Sequence, residues 1–138
     1  MPPVSRLTAL SILLASSSVA SAEPPFEAKA ICRTAIASIM DRDPKLIQTT
    51  DAPDGVVVLT YVRPIDNFVW TYRCRVEGDR VVWADEPGRW REGARDDKVF
   101  FEVLGAGAQL RIIANHTDGT TTRQLFDRDM IPERGDHH

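Results

Sequence analysis

The sequence predicts an α+β domain, with one N-terminal helix packed on an antiparallel sheet of five or six strands in meander order. Three observations predict it. Phe26–Met40 carries apolar residues at helical spacing. Phe68–Val76 alternates apolar and polar residues, then returns through Glu77-Gly78-Asp79 into the apolar run Arg80–Ala84. Short turn signals separate the later apolar runs, which favours hairpins over parallel crossovers. A small barrel, closed or half-open, is the alternative arrangement of the same elements.

Residues 1–22 read as a secretory signal peptide. Arg6 gives the positive start, Leu7–Ala15 the short apolar run, and Ala20-Ser21-Ala22 the cleavage pattern. The run is too short to span about 30 Å of hydrocarbon. No cysteine stands at the cleavage site, so neither an integral nor a lipid anchor is expected. Residues 23–138 then form one domain of ordinary size. Without Arg6 that domain has 16 Lys+Arg against 20 Asp+Glu, a formal charge of −4. A mildly acidic domain is a poor match for nucleic acid or for an anionic membrane surface.

The helix over Phe26–Met40 places Ile31, Ala35 and Ile39 on one stripe beside Cys32 and Ile36, with Glu27, Lys29, Arg33 and Ser38 mostly off it. Pro44 ends it, because the residue before a proline is pushed out of helical geometry. Lys45–Gly55 reads as an acidic connector with an APDG turn, and Val56–Arg63 as a strand that is central or covered on both faces. Phe68, Trp70, Tyr72, Cys74 and Val76 form the buried face of the next strand, leaving Arg73 and Arg75 facing solvent. Glu86–Asp97 is irregular and carries Arg89, Trp90 and Arg91. Strands follow over Lys98–Leu104, around Leu110–Ala114 and over Thr120–Phe126, the last rich in threonine and expected at an edge. The Asp118-Gly119 pair is a hairpin signal, and Asp127–His138 reads as a frayed polar tail.

Cys32 and Cys74 are the two cysteines, an even number in an exported chain. That predicts one structural disulfide rather than a C-x-x-C redox pair. Cys32 sits on the buried stripe of the helix and Cys74 on the buried face of the strand. The bridge would pin one to the other.

Trp70, Tyr72 and Cys74, then Gly78–Trp83, then Gly88-Arg89-Trp90-Arg91 occur in order, after Asp41-Arg42-Asp43-Pro44 behind a cysteine-bearing helix. Over residues 28–115 this pattern resembles a group of small exported proteins from rhizobium-like alphaproteobacteria. The resemblance implies a Gram-negative exported protein, periplasmic or secreted. It implies nothing about catalysis.

The chemistry of the residues is mainly exclusionary. Ser38 is the one serine of residues 23–138, and both cysteines are expected to be oxidised. His116, the one histidine before the terminal His137-His138 pair, stands beside the Asp-Gly turn and reads as a turn residue rather than a base. No catalytic set, metal site or cofactor site is marked. Asp96-Asp97 and Asp127/Asp129 lack the ligand pattern of a calcium loop, and the histidine pair lacks the rigid further ligands that zinc takes. Asn115-His116-Thr117 is a glycosylation pattern expected to stay empty in a bacterium. What remains is recognition. Arginine and tryptophan carry much of the energy of protein interfaces, so Arg73, Arg75, Arg89, Trp90 and Arg91 are the candidate binding residues. Their competing role is structural, with Trp90 covering the core and the arginines paired to neighbouring acids. The expected function is a non-catalytic binding or interaction module, inhibitor-like, acting on an unidentified protein or envelope component. A binder of a sugar or cell-wall fragment that stacks on Trp90 or Trp70 is the first alternative. An enzyme with an unmarked carboxylate or threonine site is the second.

Overall fold

The computed structural model describes residues 25–132. The signal read over residues 1–22 and the pair His137-His138 lie outside the described residues. One helix, α1 (Ala28–Met40), packs against seven strands: β1 (Ile47–Asp51), β2 (Val57–Val62), β3 (Val69–Glu77), β4 (Arg80–Asp85), β5 (Lys98–Leu104), β6 (Gln109–Asn115) and β7 (Thr121–Asp127). All neighbouring strands pair antiparallel in the order β1 to β7, a pure meander. No helix among the described residues is long and apolar enough to cross a membrane.

The α+β class holds, and the strand count corrects from five or six to seven. The additional strand is β1, inside the segment read as a connector. Ile47 is its one apolar residue turned to the core, and the next inward position is Thr49, whose hydroxyl accepts a hydrogen bond from Arg33 Nη2 at 3.2 Å. A hydrophobic period cannot report a strand whose inner face is half polar. The helix also begins later than expected. Glu27 is its N-cap, and Phe26 lies before it as a buried anchor under the Arg128 guanidinium, 4.5 Å from the ring centroid.

The sheet curls around α1, which contacts β1 through β6. A helix held in a concave sheet is buried on more than one stripe. Every residue from Ala30 to Ala37 is buried, Arg33 included at 1% exposure. The helical period sets Arg33 off the apolar stripe. Instead it joins the two ends of the sheet, donating to Thr49 on β1 and to the Pro132 carbonyl, 2.6 Å away, beyond β7. The strand order itself stays open, with β1 and β7 as its ends. Asp127 belongs to β7, a single turn follows at Arg128–Met130, and Ile131 is buried, so the tail is packed as far as Pro132 rather than frayed from Asp127.

The disulfide joins Cys32 of α1 to Cys74 of β3, with Cα atoms 5.9 Å apart and a sequence separation of 42. A loop of that length contributes about 4 kcal/mol in the chain-entropy account. Around it Ile36, Leu59, Tyr72, Val81, Leu110 and Ile112 form the core.

On β3 the alternation is as read, but the cover is not continuous. Tyr72 and Cys74 are buried, while Phe68 and Trp70 are 51% and 41% exposed. Their rings meet at 5.1 Å, with Arg63 over both. Leu46, Val62, Ile65 and Val69 are also exposed at this end of the molecule.

Candidate functional site

The arginine–tryptophan residues of the loop come together, and they do so with one another. β4 and β5 share only two register pairs, Arg80 with Phe100 and Val81 with Val99. Beyond these, the loop Glu86–Asp97 runs along the free edge of β4, where the Arg91 amide donates to the Trp83 carbonyl at 2.9 Å. Successive side chains then fall on opposite faces, as in a strand. Trp90 lies on the convex face between Arg73 and Arg75, whose guanidinium carbons stand 4.8 and 4.3 Å from the ring centroid. Those arginines pair across strands with Ala84 and Val82, both fully buried. The loop therefore covers a second small apolar layer on the outside of the sheet. Arg91 lies on the concave face, 4.6 Å over the Trp83 ring.

Each candidate arginine also has an acid. Arg73 meets Glu86 at 3.0 Å, Arg75 meets Glu77 at 2.7 Å and Glu92 as well, and Arg91 meets Asp85 at 2.6 Å. Arg89 grips Asp96 with two nitrogens, each at 2.8 Å. The Asp96 carboxylate is 7% exposed and also accepts the Gly93 amide. The Arg89 guanidinium, and secondly the Gly93 amide, hold its pKa down at about 2. Here the structure favours a stapled loop, with the charges satisfied internally.

The concave face differs. Between the C-terminal end of α1 and strands β4 to β7 lies a cleft of about 480 Å³, within the range of small-molecule sites. Strand register accounts for its lining. Val99 faces Ala114, Ala114 faces Thr122 and Ile112 faces Gln124, so Val99, Ala114, Thr122 and Gln124 share one face of the sheet. Continuing the β5–β6 register by one step sets Asp97 against His116 on that face. Ile39, Trp83, Val99 and Ala114 form apolar walls; Ser38, Asp97, His116, Thr122 and Gln124 form a polar rim.

The rim is hydrogen-bonded in a chain. His116 Nδ1 donates to Asp97 Oδ2 at 2.7 Å, and the Thr122 hydroxyl lies 3.0 Å from Nε2. Asp97 also accepts the Thr117 amide at 3.0 Å. The His116 hydrogen bond, then the Thr117 amide, hold the Asp97 carboxyl below its ordinary pKa. An ionised carboxylate only accepts, so Nδ1 carries the proton facing it, and in the neutral ring Nε2 accepts from Thr122. On the other side, the Ser38 hydroxyl donates to Gln124 Oε1 at 2.9 Å. The hairpin at Thr117–Gly119 fixes the spacing: His116 N–H donates to Thr120 O at 2.8 Å, and Gly119 takes φ +90°.

His116 lines the cleft as well as the turn, and so do Asp97, Thr122 and Trp83, none of them among the candidate binding residues of the sequence. A register signal was available. Pairing the apolar residues of β5 with those of β6 places Asp97 opposite His116. No three His, Cys, Asp or Glu side chains converge on a metal position among the described residues. Compared with models of protein families, with curated proteins and with solved structures, the chain gives no match. The functional reading therefore rests on this geometry.

Proposed function

We propose that the chain is an exported binding protein whose site is the concave cleft, and that its ligand is a small hydroxylated molecule of saccharide type. The observation that carries this reading is the meeting of the Trp83 wall with the hydrogen-bonding rim of Ser38, His116, Thr122 and Gln124. An apolar ring face beside donors and acceptors suits a sugar, which has an apolar face and a belt of hydroxyls. The Cys32–Cys74 bridge supports export, since such bonds persist in oxidising compartments. The stacking residue in this reading is Trp83 rather than Trp90 or Trp70.

Intrinsic fluorescence tests it. The chain has three tryptophans, Trp70, Trp83 and Trp90. Titration with cell-wall saccharide fragments should change the emission of the native protein, of W70F and of W90F, and leave W83F silent. An unchanged response in W83F would move the site out of the cleft.

A second reading keeps the interaction module and places its surface elsewhere. Six large apolar side chains are exposed at the β2–β3 end: Leu46, Val62, Ile65, Phe68, Val69 and Trp70. Phe68 and Trp70 touch, and Val62 pairs with Val69 across the strands; grouped exposed apolar side chains mark interaction sites. Capture from envelope extract on immobilised protein, repeated with F68S/W70S and with R89A/W90A/R91A, distinguishes this end from the loop. A partner lost only with the loop variant restores the arginine–tryptophan surface.

A further inference from the structure

The hydrogen-bond chain on the cleft rim has the order of a nucleophile, a base and an orienting acid. Thr122 Oγ lies 3.0 Å from His116 Nε2, and His116 Nδ1 lies 2.7 Å from Asp97 Oδ2. A loop clamp accounts for Asp97 with His116 and the Thr117 amide. The β6–β7 register brings the Thr122 hydroxyl to the remaining ring nitrogen, and both residues line the cleft. We infer that Thr122 is a nucleophile activated by His116, and that the cleft cleaves carboxylic esters of small acyl groups. The inference rests on the cleft as the binding site and does not require the saccharide.

The groups supply each step. The ester carbonyl carbon bonds to Thr122 Oγ while the hydroxyl proton passes to His116 Nε2. Asp97 is a positioning residue: it fixes the ring and stabilises the charge formed there. The carbonyl oxygen becomes negative in the tetrahedral intermediate and needs a donor. Gln124 follows two residues after Thr122 on the same face of β7. Ser38 donates to its Oε1 at 2.9 Å, so the amide nitrogen is the donor that Gln124 has to offer. The bond from carbon to the alcohol oxygen then breaks, and that oxygen takes the proton from Nε2. Water attacks the acyl carbon on Thr122 as Nε2 takes its proton; the bond from that carbon to Oγ then breaks, Oγ takes the proton back from Nε2, and the carboxylic acid leaves. The sum is ester plus water to acid plus alcohol.

The test uses oxidised protein of residues 23–138 with p-nitrophenyl acetate. The expected result is a burst of nitrophenolate and one acetyl group per chain, mapped to Thr122 by peptide mass spectrometry. T122A should abolish the adduct. T122S, which keeps the oxygen and removes a crowding methyl, should retain it. Asp97→Asn should lower the acetylation rate at least tenfold with unchanged half-saturation by the ester, a separation that a merely structural role would not give. Q124A should slow acetylation while leaving the adduct on Thr122. A rate in folded T122A equal to that of the native chain, or an acetyl group mapped to a lysine, overturns the proposal. A saccharide response without acetylation keeps the binding reading and removes the nucleophile. Acetylation of Thr122 without a saccharide response keeps the nucleophile and removes the sugar.

Discussion

The loop Glu86–Asp97 and the cleft on the opposite face of the sheet meet at Trp83, yet they use their polar residues in opposite ways. In the loop each candidate arginine closes on an acid, and Trp90 is held between two guanidiniums. In the cleft a serine, a histidine, a threonine and a glutamine line a concavity, and their hydrogen bonds run along its rim. Arg73, Arg75 and Trp90 are on the convex side; the convergent hydrogen-bonding groups are on the concave side. The comparison teaches that arginine and tryptophan point to a site only after their neighbours are counted.

The largest test of the difference is the disulfide. α1 supplies Ser38 and Ile39 to the cleft, while the loop runs along the edge of β4 and puts Trp90 on the convex face. Replacing both cysteines by alanine should cost about 4 kcal/mol, read by urea unfolding. In the fraction still folded, the Trp83 response should weaken before the Arg89–Asp96 pair is lost. Equal loss of both regions would mean that α1 and the loop form one cooperative unit, and that the contrast is one of chemistry alone.

Trp90 gives the next effect. W90A removes the ring from between two arginines and uncovers Val82 and Ala84. The ring is half-buried, so the cost should be about 2 kcal/mol, below the range for a fully buried tryptophan. Thermal unfolding measures it. Ligand response and acetylation in the cleft should stay at native levels. A folded W90A of native stability that has lost ligand binding would reverse the assignment and make the loop the site.

Much of the fold is legible in the residues. The helical period of α1 and the alternation of β3 together place Cys32 and Cys74 face to face. β1 escaped because Thr49 takes an inward position that a hydrophobic period expects to be apolar, and its partner Arg33 is 16 residues away in the chain. Arg33 itself reads as a surface residue, since no single-helix pattern reports a sheet curled around several sides. Phe68 and Trp70 follow the correct alternation and are still exposed, because alternation assigns a face but not what covers it. The cleft was least legible. His116, Asp97 and Thr122 lie in three segments, and no local spacing joins them. Only the register of β5, β6 and β7 does. Once the hairpins are accepted, that register follows from apolar matching, so the site could be read from sequence only after the sheet was.

The smallest effect separates the two regions by pH. Asp96 of the loop is held at about 2 by Arg89, and Asp97 of the cleft is held below its ordinary value by His116. A carboxyl depressed in the folded state binds its proton more readily when unfolded. Its contribution is present above the unfolded value of about 3.9 and fades as pH falls through the folded one. Both aspartates therefore stabilise at neutral pH and lose that contribution in acid, Asp96 over about pH 4 to 2. The perturbing partners differ, and that is the handle. R89Q should raise the Asp96 carboxyl toward ordinary values and leave Asp97 in place. H116Q should raise Asp97 and leave Asp96 in place. Carboxyl-carbon NMR titration of the three proteins reads both. Arg89 is exposed, so R89Q should leave neutral-pH stability close to that of the native protein. If R89Q also shifts Asp97, the adjacent carboxylates titrate as one unit, and the loop acts on the cleft through the Asp96–Asp97 peptide.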